Sequence, residues 1–420
     1  MSEPGEGGSG VFRLRNFRFY VSGRFLTGIA HHVQTIGVGL YVYEATRDPL
    51  ALGLAGLFTF LPQLLLVAAG GHVADTFDRR LVAAVAYLVA AASSAGLFLL
   101  VSANITALVP IYAMIALVGV SRVFGMPANQ AMLPSLVGSA HVSSAVAWTA
   151  SVVQTATITG PAIGGFLYLL GPRTTFAVAA MFHLLAAFSM WSISARAKVV
   201  SPEKFSWRAF TTGAGFIWSH KVLLGALSLD LVAVLFAGTV ALLPIYATDI
   251  LNVGPAGLGW LRAGQAVGAL MMALCLARFP IRRHAGRWMF IASAVFGLAI
   301  IGFGLSRLFW LSFFFVMVEG AADMVSVVIR STLIQTDTPD TMRGRVSSVN
   351  SLFIGASNSL GEFESGLAAS LLGTVPATII GGCLALMTTA LWTVLFPALR
   401  RRDRLQGDEP AQGEARTSAQ

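Results

Sequence analysis

The sequence predicts an all-α membrane protein of about twelve transmembrane spans, and three observations carry that prediction. Of 420 residues, 56% are hydrophobic and only 11% charged, whereas a soluble domain carries about 25% charged residues. The apolar residues gather into successive runs long enough to cross a hydrocarbon layer about 30 Å thick. The basic residues between those runs fall mostly on one side, as topology signals do.

The runs cover residues 19–43, 51–74, 81–101, 105–126, 141–169, 174–194, 223–248, 256–277, 288–305, 308–334, 346–372 and 374–395. About twenty residues per span leaves short loops, two tails and one longer connection, with no room for a soluble domain. The expected organisation is therefore an N-terminal segment (1–18), a first six-helix bundle (19–195), a connection (196–221), a second bundle (222–397) and a tail (398–420). That tail is polar and predicted to be disordered.

Arg79, Arg80, Arg196, Lys198, Lys204, Arg282, Arg283, Arg343, Arg345 and the bases of 400–404 share one side, while the other holds only Arg47, Arg173 and Arg307. The positive-inside rule then places both termini and the 196–221 connection in the cytoplasm, and the chain is expected to lie in a cell (inner) membrane. Segment 1–17 is polar, and the apolar run after it is too long for a removable signal peptide, so the first span is expected to stay.

The net charge of +9 is spread singly and in small groups between apolar runs, so no nucleic-acid partner is expected. Cys275 and Cys383 lie inside separate spans, which indicates neither a disulfide nor a metal site. No cofactor is expected, and the absence of a nucleophile or metal constellation argues against an enzyme.

The connection near the midpoint prompts a search for a duplicated half. A shift of 201 positions sets Gly119, Gly160 and Gly165 on Gly320, Gly361 and Gly366, Arg122 on Asp323, and Pro161 on Glu362.

Four patches carry candidate chemistry. The turn between spans two and three includes Gly71, Asp75, Asp78, Arg79 and Arg80, and it resembles the signature loop of the major facilitator superfamily. Thr76 and Asp78 depart from that pattern, standing where an arginine and a glycine are usual. The resemblance implies that Asp75 caps and ion-pairs at a helix end, while Arg79 and Arg80 pair across to the other half. Gly160, Pro161, Gly164 and Gly165 in span five are similar to the antiporter motif of drug–proton exporters in that superfamily, which implies export.

Span ten carries Glu319, Asp323 and Arg330 on one helical stripe. Intramembrane charges face the bundle interior or a water-filled cavity, since each costs at least about 2.5–3.5 kcal/mol in lipid. Arg122, Asp230, Arg262, Glu362 and Glu364 are the remaining candidates for a charge network. Asp323 and Glu319 are expected to form a proton-responsive site with Arg122 as the opposing charge. Span one sets Arg24 and His31 along one face, with His32 and Gln34 beside it, as candidates for lining a cavity.

Residues 338–346 and 357–366, with Asp230 and 241–247, resemble the siderophore-exporting and macrolide-efflux-like branch of the superfamily, and the resemblance runs from about residue 16 to 400. It implies two pseudo-symmetric six-helix bundles around a cavity lined by spans one, four, seven and ten. It also implies proton-driven, alternating-access export of a small, partly apolar molecule by a monomer. A proton symporter for uptake and a lipid or lysolipid translocator are the alternatives.

Overall fold

The computed structural model describes residues 11–138, 141–194, 207–281 and 283–403. The first ten residues, most of the central connection with Arg196, Lys198 and Lys204, Arg282, and the tail from 404 on lie outside the described residues.

Six long helices form the first half: α1 (Arg15–Thr46), α2 (Pro49–Thr76), α3 (Arg79–Ser102), α4 (Leu108–Val137), α5 (Val142–Leu169) and α6 (Pro172–Trp191). A short amphipathic helix, α7 (Trp207–Ser219), leads into the second half: α8 (Lys221–Phe236), α9 (Leu243–Ile245), α10 (Gly254–Arg278), α11 (Ala285–Leu305), α12 (Phe309–Asp337), α13 (Asp340–Leu372), α14 (Thr374–Leu395) and α15 (Pro397–Arg400). Among the described residues there is no β-strand.

Local chemistry starts and stops these helices. Asp48 accepts the Leu50 amide at 2.9 Å ahead of Pro49, and Asp78 accepts the Arg80 amide at 3.0 Å to begin α3. Each satisfies an amide that the first helical turn leaves unpaired. Gly171 and Gly373, at φ 101° and 89°, allow tight turns into α6 and α14 that a side chain would strain.

Among the described residues, ten spans are long and apolar enough to cross a membrane. The other two membrane-length helices, α1 with 32 residues and α13 with 33, carry the polar residues that dilute their hydropathy. Both are sheltered by protein: α1 packs on α5 and α6, and α13 on α2, α8 and α14.

The seventh span departs from the continuous 223–248 helix expected. It breaks after Phe236 into a 3-10 turn, the short α9, and a π-helical turn over Tyr246–Ile250. A side chain on Gly238 would collide with the Gly361 backbone of α13, and Pro244 cannot donate a backbone hydrogen bond. Broken helices inside a membrane are tolerated where protein or a cavity surrounds them, and the Gly238–Pro244 stretch lines a cavity.

The two halves repeat one another. Gly119 on α4 packs against the Thr59 carbonyl of α2, and Gly320 on α12 packs against the Gln265 carbonyl of α10. Gly160 on α5 meets His32 of α1, while Gly361 on α13 meets Val234 and Leu235 of α8. All three glycine pairs that the 201-residue shift aligns thus sit at equivalent helix crossings.

The halves meet through α2 with α13 and through α5 with α10. One apolar cluster, containing Leu40, Leu97 and Ile111 with Leu242, Tyr246 and Phe303, draws on both halves. It lies at the end of the bundle opposite the chain termini, called the far end below. At the terminal end, one cluster around Tyr20 and Met132 belongs wholly to the first half, and another around Met289 and Leu333 wholly to the second. The buried apolar surface therefore joins the halves at one end and leaves them separate at the other.

Candidate functional site

Between the halves lies a cavity of 570 Å³. Spans one, four, seven and ten line it as expected, through His31, Arg122, Val234 and Asp323, but α2, α5, α10 and α13 contribute as well. Arg122 from the first half, with Arg262, Glu319, Asp323 and Glu362 from the second, places five arginine and carboxylate side chains on its walls. Among the described residues none of the five forms an ion pair.

Their surroundings differ. Glu319, only 4% exposed, receives long hydrogen bonds of 3.4 Å from Thr239 and from Gln265. Arg122 projects into the cavity and is solvent-exposed there. Glu362 lies over Gly56 of α2 and so touches the opposite half. The positive charges of Arg122 and Arg262 both act on Glu362, and Arg262 also acts on Glu319. The sequence reading opposed Arg122 to Asp323 and Glu319, and Glu362 joins them as a carboxylate on which the Arg122 charge acts. Glu362 reaches across the α2–α13 crossing, while Asp323 lines the same cavity from α12.

Arg330 has a different partner from its neighbours on the α12 stripe. It bonds Asp230 of α8 at 2.6 Å, with both side chains buried, and Ser326 donates to the same carboxylate at 3.1 Å. Asp323 borders both the main cavity and a small void that contains Asp230 and Ser326. Asp230 and Arg330 thus stand one layer behind the wall, and Glu364 is absent from the lining and near Ser365.

Of the span-one candidates, His31 and His32 line the cavity with ring centroids 5.5 Å apart. Gln34 borders it too, but its amide is spent on α3, donating to Ser93 at 2.8 Å and accepting from Ser94 at 2.9 Å. Arg24 does not line the cavity and lies beside Tyr20 and Tyr87 instead. Gln63, Gln154, Gln265 and Asn358 also face the cavity and were not anticipated. The only available signal was a carboxamide within an apolar span, single in the spans of Gln63, Gln154 and Gln265 and one of two, with Asn350, in that of Asn358.

The antiporter-like motif serves two crossings. Gly160 and Gly164 admit α1, where a side chain on Gly160 would come within 2.7 Å of the His32 Cβ, and Pro161 lines the cavity. Gly165 admits α10 of the other half at Gly259. Small residues are what such close approach requires.

The signature-like turn is arranged otherwise than its resemblance implied. Asp78, rather than Asp75, caps the helix, and Asp75 makes no hydrogen bond or ion pair among the described residues. Arg79 donates to the Ala131 carbonyl at 3.0 Å and Arg80 to the Ile193 carbonyl at 2.6 Å, both within the first half. The separation of the halves at the terminal end leaves no acceptor from the second half beside them.

Two six-helix halves related by pseudo-symmetry, closed on each other at one end around a charged central cavity, define a membrane transporter of the major facilitator type. The chain belongs to the transmembrane secretion effector family, whose profile matches residues 9–412. It is 25% identical over 373 residues to the enterobactin exporter EntS of Shigella dysenteriae serotype 1 and to that of Escherichia coli O1:K1 / APEC, in each case covering 89% of this chain and 86% of the relative. Its fold is similar to that of a nucleoside transporter NupG mutant, with a TM-score of 0.74 and 13% identity over 91% of this chain and all of that one. A bacterial homologue of the human lysosomal transporter Spinster superposes with a TM-score of 0.70 at 15% identity, over 94% and 97% of the two chains.

Proposed function

We propose that this transporter exports a small, hydrogen-bonding and partly apolar molecule from the cytoplasm in exchange for protons, by alternating access around the central cavity. The observation that carries the reading is the set of five cavity charges held without ion pairs. With no ion pair among the described residues to hold them, the charges are available to a cargo and the three carboxylates to a proton, whereas a finished structural pair would be available to neither. The lining pairs aliphatic residues such as Val38, Ile115 and Val240 with carboxamides and charges, and besides the two histidines Phe296 is its one aromatic side chain among the described residues. Cargo is therefore held by hydrogen bonds and charge more than by ring stacking.

Proton coupling is assigned to Asp323 and Glu319, with Glu362 between Arg122 and Arg262 as the responsive neighbour. Protonating these carboxylates would weaken the electrostatic attraction across the cavity to Arg122 in the other half and so free the halves to rock. The basic loops put the terminal end in the cytoplasm, which makes this the conformation closed on the outer side. In the opposite conformation the turn with Asp75, Arg79 and Arg80 meets the second half and closes the cytoplasmic side. Similarity to EntS supports export.

The test reconstitutes the protein in vesicles, imposes a proton gradient, and follows labelled siderophores, drug-like compounds and lysolipids in each direction. Gradient-dependent movement opposite to the protons is expected. Movement in the direction of the protons would replace export with uptake, and lipid movement alone would replace both with translocation.

A further inference from the structure

We infer that Tyr43, Arg47 and Asp249 form a polar latch that holds the far end shut, and that Asp249 is a positioning residue for the transport cycle. The Asp249 carboxylate is held through both oxygens by the other half: Tyr43 donates to Oδ2 at 2.5 Å and Arg47 to Oδ1 at 3.0 Å. Of the six ion pairs among the described residues, Arg47–Asp249 is the one that joins the two halves. It also gives a task to one of only three bases on the sparsely charged side of the sequence.

Both sides of the latch are anchored in their own half. Beside Tyr43, Glu44 accepts a hydrogen bond from Tyr168 of α5 at 2.6 Å, and Tyr41 donates to the Ile105 carbonyl at 3.1 Å, which ties the end of α1 to the first half. Arg47 ends α1 with a left-handed backbone at φ 52°, its amide bonded to the Tyr43 carbonyl at 2.8 Å, so the two donors form one rigid turn. Asp249 lies in the π-helical turn after Pro244, closed by the Leu251 amide on the Tyr246 carbonyl at 2.8 Å. Wide turns of this kind recur at functional positions because they redirect a side chain without ending the helix.

The latch is flanked by two close helix crossings. A Cβ on Gly53 would lie 3.1 Å from the Gly366 Cα, and one on Gly165 would lie 3.2 Å from the Gly259 Cα. Those contacts are backbone on backbone and apolar. The latch supplies what they lack, a directional bond that a rocking motion breaks all at once. An exposed ion pair alone contributes little, and Arg47 and Asp249 are 64% and 41% exposed. The short Tyr43 bond to the same carboxylate makes it a charge-assisted pair of bonds on one acceptor.

This inference rests on alternating access, but its readout requires neither a known cargo nor proton coupling. A cysteine replacing Val38, which lines the cavity, reports opening through its reaction with a membrane-impermeant maleimide on each side of the membrane. In Asp249→Asn and in Tyr43→Phe, far-side labelling should rise roughly tenfold, as expected when one charge-assisted bond is removed from a two-state balance. The exchange Arg47→Asp with Asp249→Arg should return labelling toward the parent rate, which a merely destabilised protein would not do. Unchanged far-side labelling in both single variants would overturn the latch. Strong far-side labelling in the parent would mean instead that the assigned orientation or the closed state is wrong, which separates the two failures.

Discussion

The stripe along α12 sets two treatments of the same chemistry side by side. Arg330 is locked to Asp230 at 2.6 Å with both groups buried, while Glu319 and Asp323, about three and two turns closer to the far end, have no ion pair among the described residues. A buried charge with a bonded partner holds helices together, because breaking it strands the remaining charge. A charge on a cavity wall without a partner stays responsive to whatever enters. Spacing alone placed the three residues on one face, but the partner across the helix gap separates scaffold from site.

That contrast can be broken at graded positions. Arg330→Met should have the largest effect on folding, destabilising by about 3–5 kcal/mol because Asp230 is left charged and buried. Thermal unfolding in detergent would show it, and adding Asp230→Leu should recover much of the loss. Equal stability of Arg330→Met and the parent would remove the scaffold role. Next, Glu362→Gln should lower stability by no more than about 1 kcal/mol, since no ion pair among the described residues is broken, yet impair proton-driven transport. A loss of stability as large as that of Arg330→Met would place Glu362 with the scaffold instead.

Gln34→Leu sharpens the comparison among neutral groups. It removes bonds to Ser93 and Ser94 and should cost about 1–2 kcal/mol of stability while leaving cargo affinity near the parent value. A large affinity change with normal unfolding would return Gln34 to the cavity site. Asp75→Asn should be nearly silent in unfolding, since Asp75 has no bonded partner in this conformation, and should slow transport by disfavouring the state closed at the terminal end. Unchanged transport would reduce that turn to a topology signal.

Much of the architecture was legible because hydropathy and loop charge act over whole spans. The duplicated half was legible through Gly119, Gly160 and Gly165, since each glycine marks a crossing that recurs in the other half. A second offset escaped notice: Gly53 and Thr59 recur as Gly259 and Gln265, 206 positions on, at equivalent crossings. A single shift cannot align two halves whose loops differ in length. Arg330 and Asp230 were both picked out as intramembrane charges, but their pairing depends on how α8 turns toward α12, which periodicity does not encode. Asp249 escaped for the opposite reason, as a lone acid at the end of a span reads like an ordinary loop residue.

The central claim is that unpaired carboxylates in the cavity couple protons to cargo, and Asp323→Asn in reconstituted vesicles tests it most directly. Cargo movement driven by an imposed proton gradient is compared with cargo exchange at equal pH, which needs no net proton movement. The account predicts that gradient-driven transport is lost while exchange survives. Full gradient-driven transport in Asp323→Asn, and in Glu319→Gln beside it, would contradict the account.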